Sequence, residues 1–177
     1  MFVKGAALLL LKVTVVIYNS EAVPERELVR GETVAGQILR QAGVEVLWRR
    51  ATAADTALRP WEVPLHMLAA HPPNLSPDIS GFAMLMPEGS YAGVSYPDVQ
   101  RTAHALAADD PTVLGAIMAH ELGHVLLGTR DHSANGVMVM RLGQREIAAA
   151  RRGELLFVGS EARRIRAEVA RRATISR

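Results

Sequence analysis

Five residues of this chain, His120-Glu121-Leu122-Gly123-His124, have the types and the spacing that metal chemistry requires. On an α-helix, residues four apart stand one turn above each other on one face, so the two imidazoles can aim nitrogens at a single point ~2.0–2.1 Å away, the Zn–N distance. Glu121 lies one step round the helix. From there its carboxylate can hold a water at an open metal position without being a ligand, and take its proton as general base. Metal and base together make hydroxide at neutral pH. A shuffled chain of this composition contains the pattern about once in a hundred, so the five residues need support from their surroundings.

The surroundings supply it. Asp109-Asp110-Pro111 offers a carboxylate cap and a proline at the first helical position, and Val113, Leu114, Ile117, Met118, Leu122, Val125 and Leu126 follow at helical spacing until Gly128. The competing reading makes His120 and His124 polar-face residues with Glu121 as a mere neighbour. A catalytic zinc normally has three protein ligands and one open position, and the nearest further candidates, Asp131 and His132, stand just past the glycine. The chain has no cysteine, which excludes thiolate metal sites, disulfide frameworks and cysteine nucleophiles; any metal must be held by His, Asp or Glu.

The run from His120 to Ser133 together with Gly136-Val137-Met138 resembles the metzincin zinc endopeptidases. In that family the helix bearing His-Glu-x-x-His ends at a glycine, a third His or Asp completes the metal site, and a methionine turn underlies it. The resemblance implies Zn²⁺ as cofactor, His120, His124 and His132 as its ligands, Glu121 as general base, and a peptide or protein as substrate. It also implies a methionine turn at Met138, with Met140 as the alternative; ordinary core packing is the other explanation of both methionines. One spacing departs from the family. Gly128 lies four residues after His124 where the family has three, and strict spacing would put Arg130 on the metal, which a guanidinium cannot ligate. The turn must be two residues longer, with His132 reaching inward; Asp131 and a distant carboxylate such as Glu146 remain the other choices for third ligand. Asp131 could instead orient a histidine.

These residues need a scaffold, and the rest of the sequence describes one. At 177 residues and 19.2 kDa, with 49% hydrophobic and 21% charged residues, the chain has the size and composition of one globular domain. The β-branched run Val13–Tyr18 predicts a buried strand, Pro24 to Gly43 a helix, and Val44–Trp48 a second strand parallel to the first through a right-handed crossover. Further strands are expected at 63–69, 81–86 and 91–96, with helices resuming after Asp98. The expected fold class is α/β (α+β), metzincin-like: a twisted mixed sheet with a backing helix and the active-site helix, and a small C-terminal helical lobe. Residues 1–177 then form one domain, 1–128 its upper lobe and 129–177 its lower. In this arrangement strand 91–96 would form the cleft rim where an extended peptide pairs, with Tyr91 and Tyr96 either lining the cleft or buried in the strand.

The formal charge of +2 hides an asymmetry: residues 141–177 hold ten Arg against four Glu, net +6, and residues 1–140 are net −4. Arg151, Arg152, Arg163, Arg164, Arg166, Arg171 and Arg172 alternate with apolar residues at helical spacing, as on a solvated helix face. The rival functions are a non-proteolytic zinc-binding module and the gripping of an acidic partner by this Arg-rich helix; no nucleic-acid partner is expected. No stretch reaches the roughly 18 uncharged apolar residues of a bilayer span. Met1–Leu11 bears a faint likeness to a signal peptide, which tilts localisation toward an extracytoplasmic compartment without fixing it, but Lys12 interrupts it and the segment reads as leading into the first strand. The sequence is silent on oligomeric state. Gly31–Gly36 lacks the Lys-Ser/Thr of a phosphate loop, Gly93-Val94-Ser95-Tyr96-Pro97 misses the last glycine of a nucleophile elbow, and His66, His71 and His104 have no partner at ligand spacing. Trp48 and Trp61 read as packing residues.

Overall fold

The computed structural model describes residues 10–175 apart from positions 21, 56 and 88. The leader-like stretch lies, up to residue 9, outside the described residues. One face of strand β1 (Leu11–Asn19) is apolar and enters the main core through Val13, Val15 and Ile17; the other carries exposed Lys12 and half-buried Thr14 and is fully covered at Val16. Helix α1 (Glu25–Gln41) starts after Pro24 with two acidic residues in its first turn, and the chain reverses at Gly43. Strand β2 (Val44–Arg50) then pairs parallel to β1, and β3 (Glu62–Leu68) pairs parallel on its other side. Strands β4 (Gly81–Met84) and β5 (Tyr91–Ser95) complete a five-stranded sheet in the order β2-β1-β3-β5-β4, with only β4 antiparallel.

Two expectations are corrected here. The strand at 91–96 is not the rim: β5 is interior, between β3 and β4, and the edge beside it is β4. Tyr96 belongs to helix α2 (Tyr96–Ala105), which therefore begins before Asp98, with Pro97 in its first turn. The Tyr96 ring is buried and its hydroxyl donates to Asp110 Oδ2 at 3.3 Å, so it lines no cleft; Tyr91 stands edge-on to His66 and Phe82.

Helix α3 (Asp110–Leu127) carries the five-residue pattern, and every residue from Pro111 to Leu127 is buried. It packs on α1 and across β3, β4 and β5. The two helices approach closely where glycines meet: a Cβ at Gly115 would lie 2.5 Å from the Gly31 carbonyl oxygen. Helices α4 (Gln144–Arg151) and α5 (Gly159–Ile175) follow. Part of the Arg-rich face of α5 turns inward: Arg164 donates to Leu127 O (2.8 Å), Arg166 to Ala42 O (2.9 Å) and Arg172 to Glu62 O (3.4 Å). These bonds fasten α5 across the end of α3 and the strand starts. No helix among the described residues is long and apolar enough to cross a membrane.

Candidate metal centre

The cap and stop seen in the sequence set the register of α3. Asp109 accepts from the Thr112 backbone N–H (3.1 Å) and hydroxyl, and Gly128 ends the helix in the left-handed conformation, its N–H bonded to His124 O at 2.9 Å. The last turn also receives Arg164 on the Leu127 carbonyl, a cation at the negative end of the helix.

Within this helix His120 and His124 are 7% and 6% exposed. His120 Nδ1 lies 2.8 Å from Val137 O and His124 Nδ1 lies 2.8 Å from Thr129 O. A carbonyl only accepts, so each Nδ1 carries the proton and each Nε2 keeps its lone pair. The two Nε2 atoms are 3.0 Å apart. Burial, with help from the neighbouring histidines, pushes the pKa of His120 down to about 4, and burial likewise lowers that of His124, so both rings are neutral at pH 7. Two neutral nitrogens with lone pairs in contact repel each other unless an electrophile sits between them.

His132 supplies a third nitrogen. One ligand atom from each of His120, His124 and His132 falls within a group no wider than 4.8 Å, with the His132 ring 5.3 Å and 4.9 Å from the other two ring centres. The chemistry of this donor set fits a borderline-soft divalent cation such as zinc, with an open side, since His132 is exposed while the other two are not. Each carbonyl accepting from an Nδ1 is the outer-shell partner expected of a ligating histidine.

The other candidates lie elsewhere. Asp131 accepts from Thr129 Oγ1 (2.7 Å) and Glu146 from the Gly143 N–H (3.1 Å). Glu121 is 6% exposed, and burial pushes its pKa up to about 8. It faces β4, where a Cβ at Gly81 would meet Glu121 Cγ and Oε1 at 2.8 Å, so glycine there makes the room that the carboxylate occupies. Met138 is fully buried against the helix: a Cβ at Gly123 would lie 2.5 Å from its sulfur. Met140 is 74% exposed.

No family model and no curated protein sequence matches the chain. Several solved structures do, two zinc peptidases among them. The archaemetzincin of Methanopyrus kandleri superposes with a TM-score of 0.54 over 96% of this chain and 99% of its own, at 18% identity. The zinc-dependent peptidase of Methanocorpusculum labreanum gives 0.54 over 86% and 99%, at 17% identity. The fold is that of archaemetzincin-type zinc peptidases.

Within this archaemetzincin-type fold, sequence reasoning missed three things: the carbonyls of Val137 and Thr129, the Gly81 backing of Glu121, and the turn contacts of Ser133. Backbone carbonyls carry no side-chain signature, and only the folded chain shows which strand faces Glu121. His71, set aside in the sequence, is a satisfied histidine. Its Nδ1 donates to buried Asp98 (2.5 Å) and its Nε2 to Leu75 O (3.1 Å), and the carboxylate raises its pKa.

Proposed function

We propose that the chain is a zinc-dependent endopeptidase in which His120, His124 and His132 hold Zn²⁺ and Glu121 is the general base. The convergence of three imidazoles, two of them with Nδ1 tied to carbonyls, with a buried carboxylate one step round the same helix, supports this reading most strongly. Zinc held there supplies Lewis-acid polarisation of the scissile carbonyl and of the attacking water. Glu121 takes the proton of that water and returns it to the leaving amine. Burial raises its pKa to about 8 in the metal-free chain, and a divalent cation held by the histidines would draw it back toward the ionised form that a base requires. The outer edge of β4, beside Gly81 and Glu121, offers backbone groups to an extended peptide. Met138 forms the methionine turn beneath the histidines, between an upper lobe at 1–128 and a lower lobe at 129–177 of a single domain.

The test is Glu121→Gln. It retains stoichiometric zinc and loses hydrolysis of unfolded protein substrates by about 10²–10⁴-fold. A variant as active as the wild type removes Glu121 from its role. A wild-type chain that binds zinc yet shows no chelator-sensitive hydrolysis leaves a zinc-binding module instead.

A further inference from the structure

The two histidines of α3 are held by their helix and by carbonyl bonds, but His132 stands on a turn and its ring makes no hydrogen bond among the described residues, only stacking and edge contacts with the other two rings. Its neighbour is better fixed. The Ser133 N–H donates to Met138 O at 2.7 Å, and the Ser133 hydroxyl donates to Glu161 Oε1 from the first turn of α5. The other oxygen of Glu161 accepts the Val158 N–H at 2.9 Å. Glu161 is 7% exposed and its two partners are a hydroxyl and an amide. Its Val158 bond caps the start of α5, where the helix dipole favours an anion, and its second bond, to Ser133, is the one that reaches the turn bearing His132. On the other side of His132, Asp131 is bonded only back to Thr129, within the same turn.

We infer that Glu161 is a positioning residue for the metal centre: through Ser133 it fixes the backbone beside His132, and so aims that imidazole at the point where the other two converge. The inference rests on the zinc-site reading given above. It makes α5 part of the metal site although that helix supplies none of the three imidazoles.

The experiment is a cobalt(II) titration of the full chain, followed by visible absorption, on wild type, Glu161→Ala, Glu161→Gln and Ser133→Ala, and on Glu161→Ala combined with His132→Ala. Glu161→Ala weakens cobalt binding by roughly 10–100-fold and changes the ligand-field bands. Glu161→Gln restores most of the affinity, because its carbonyl keeps one bond and its amide can donate to the Ser133 oxygen. Ser133→Ala leaves the Val158 bond to Glu161 intact, and reports the tether even if Glu161→Ala folds poorly. In the His132→Ala background the Glu161 substitution changes affinity by less than about twofold, since the group it positions is gone. Equal losses in both backgrounds, or a lowered melting temperature with unchanged cobalt affinity and spectrum, overturn the inference and leave the zinc reading standing. A wild-type chain that takes up no cobalt overturns the zinc reading itself.

Discussion

Two of the three imidazoles stand on α3, where every residue from Pro111 to Leu127 is buried, and the third stands exposed on the turn that follows. The helix-borne pair is placed by periodicity alone, then locked by two carbonyls at 2.8 Å. The turn-borne ring depends on Ser133, which is bonded to Met138 and to Glu161, 28 residues further on. The same chemical group therefore needs two kinds of support. A helix fixes its ligands by local rules, whereas a turn borrows rigidity from whatever packs against it, which leaves His132 the adjustable member of the set.

The largest expected effect sets the two regions directly against each other. His124→Ala breaks the preorganised pair at 3.0 Å and leaves one fixed and one turn-borne ring, while His132→Ala leaves the pair intact. Zinc affinity, measured by competition with a chelator, should fall by about 10³-fold or more for His124→Ala and by about tenfold less for His132→Ala, because the pair has already met its ordering cost in the fold. A reversed rank would make the turn the stronger anchor and dissolve the distinction.

The helix also carries a pH dependence visible in the metal-free chain. His120 has its pKa depressed to about 4 in the fold, so between pH ~6.5 and 4 the unfolded chain binds the proton and the folded chain does not; stability is lost as pH falls through that window. Glu121 is the reverse case. Its folded pKa of about 8 lies above the ordinary carboxylate range, so the folded chain holds the proton more tightly and stability is lost as pH rises toward 8. The two slopes oppose each other below pH ~6.5, and above it the Glu121 slope remains. Denaturant titrations of chelator-treated protein should show stability falling by about 2 kcal/mol from pH 6.5 to 8, and Glu121→Gln should flatten that limb. A limb that survives the substitution places the buried acid elsewhere.

What the sequence disclosed follows the same divide. The capped helix, its glycine stop and the spacing of His120, Glu121 and His124 obey rules confined to a few neighbouring residues, as do the β-branched run of β1 and the parallel unit it forms with α1 and β2. The position of β4 does not. Strand order is settled by pairing between residues far apart in the chain, so the sequence points to 91–96 as the rim while the edge is Gly81–Met84. The start of α2 at Tyr96 was hidden because a tyrosine after an apolar run continues a strand pattern; only Pro97 and Asp98 signal the change. Met138 and Met140 look alike in sequence, and burial separates them because one lies against Gly123 and the other faces solvent.

Two glycines of the motif sharpen the comparison at a smaller scale. Gly128 ends the helix at φ +63°, with nothing within 4 Å of an added Cβ, so its glycine answers a local backbone requirement. Gly123 has ordinary helical geometry, but an added Cβ would lie 2.5 Å from Met138 Sδ and 2.8 Å from Phe157 Cε1, so its glycine answers the residues after α3 that pack against it. Gly123→Ala gains about 1 kcal/mol of helix propensity and meets overpacking of about 1–3 kcal/mol, a net destabilisation of up to about 2 kcal/mol. It also displaces Met138, which packs at Gly123 between the two helix-borne histidines of the proposed zinc site, so zinc affinity should fall with stability. Gly128→Ala costs about 1 kcal/mol through backbone strain alone. Pairing each glycine substitution with Met138→Ala separates the two causes: removing the thioether relieves the clash and shrinks the Gly123→Ala penalty, whereas the Gly128→Ala penalty is unchanged because no side chain produces it. Thermal unfolding of these four variants and of Met138→Ala alone measures both. An unchanged Gly123→Ala penalty would mean that the helix is shaped by its own backbone at that position too, and that Met138 and Phe157 adapt to it.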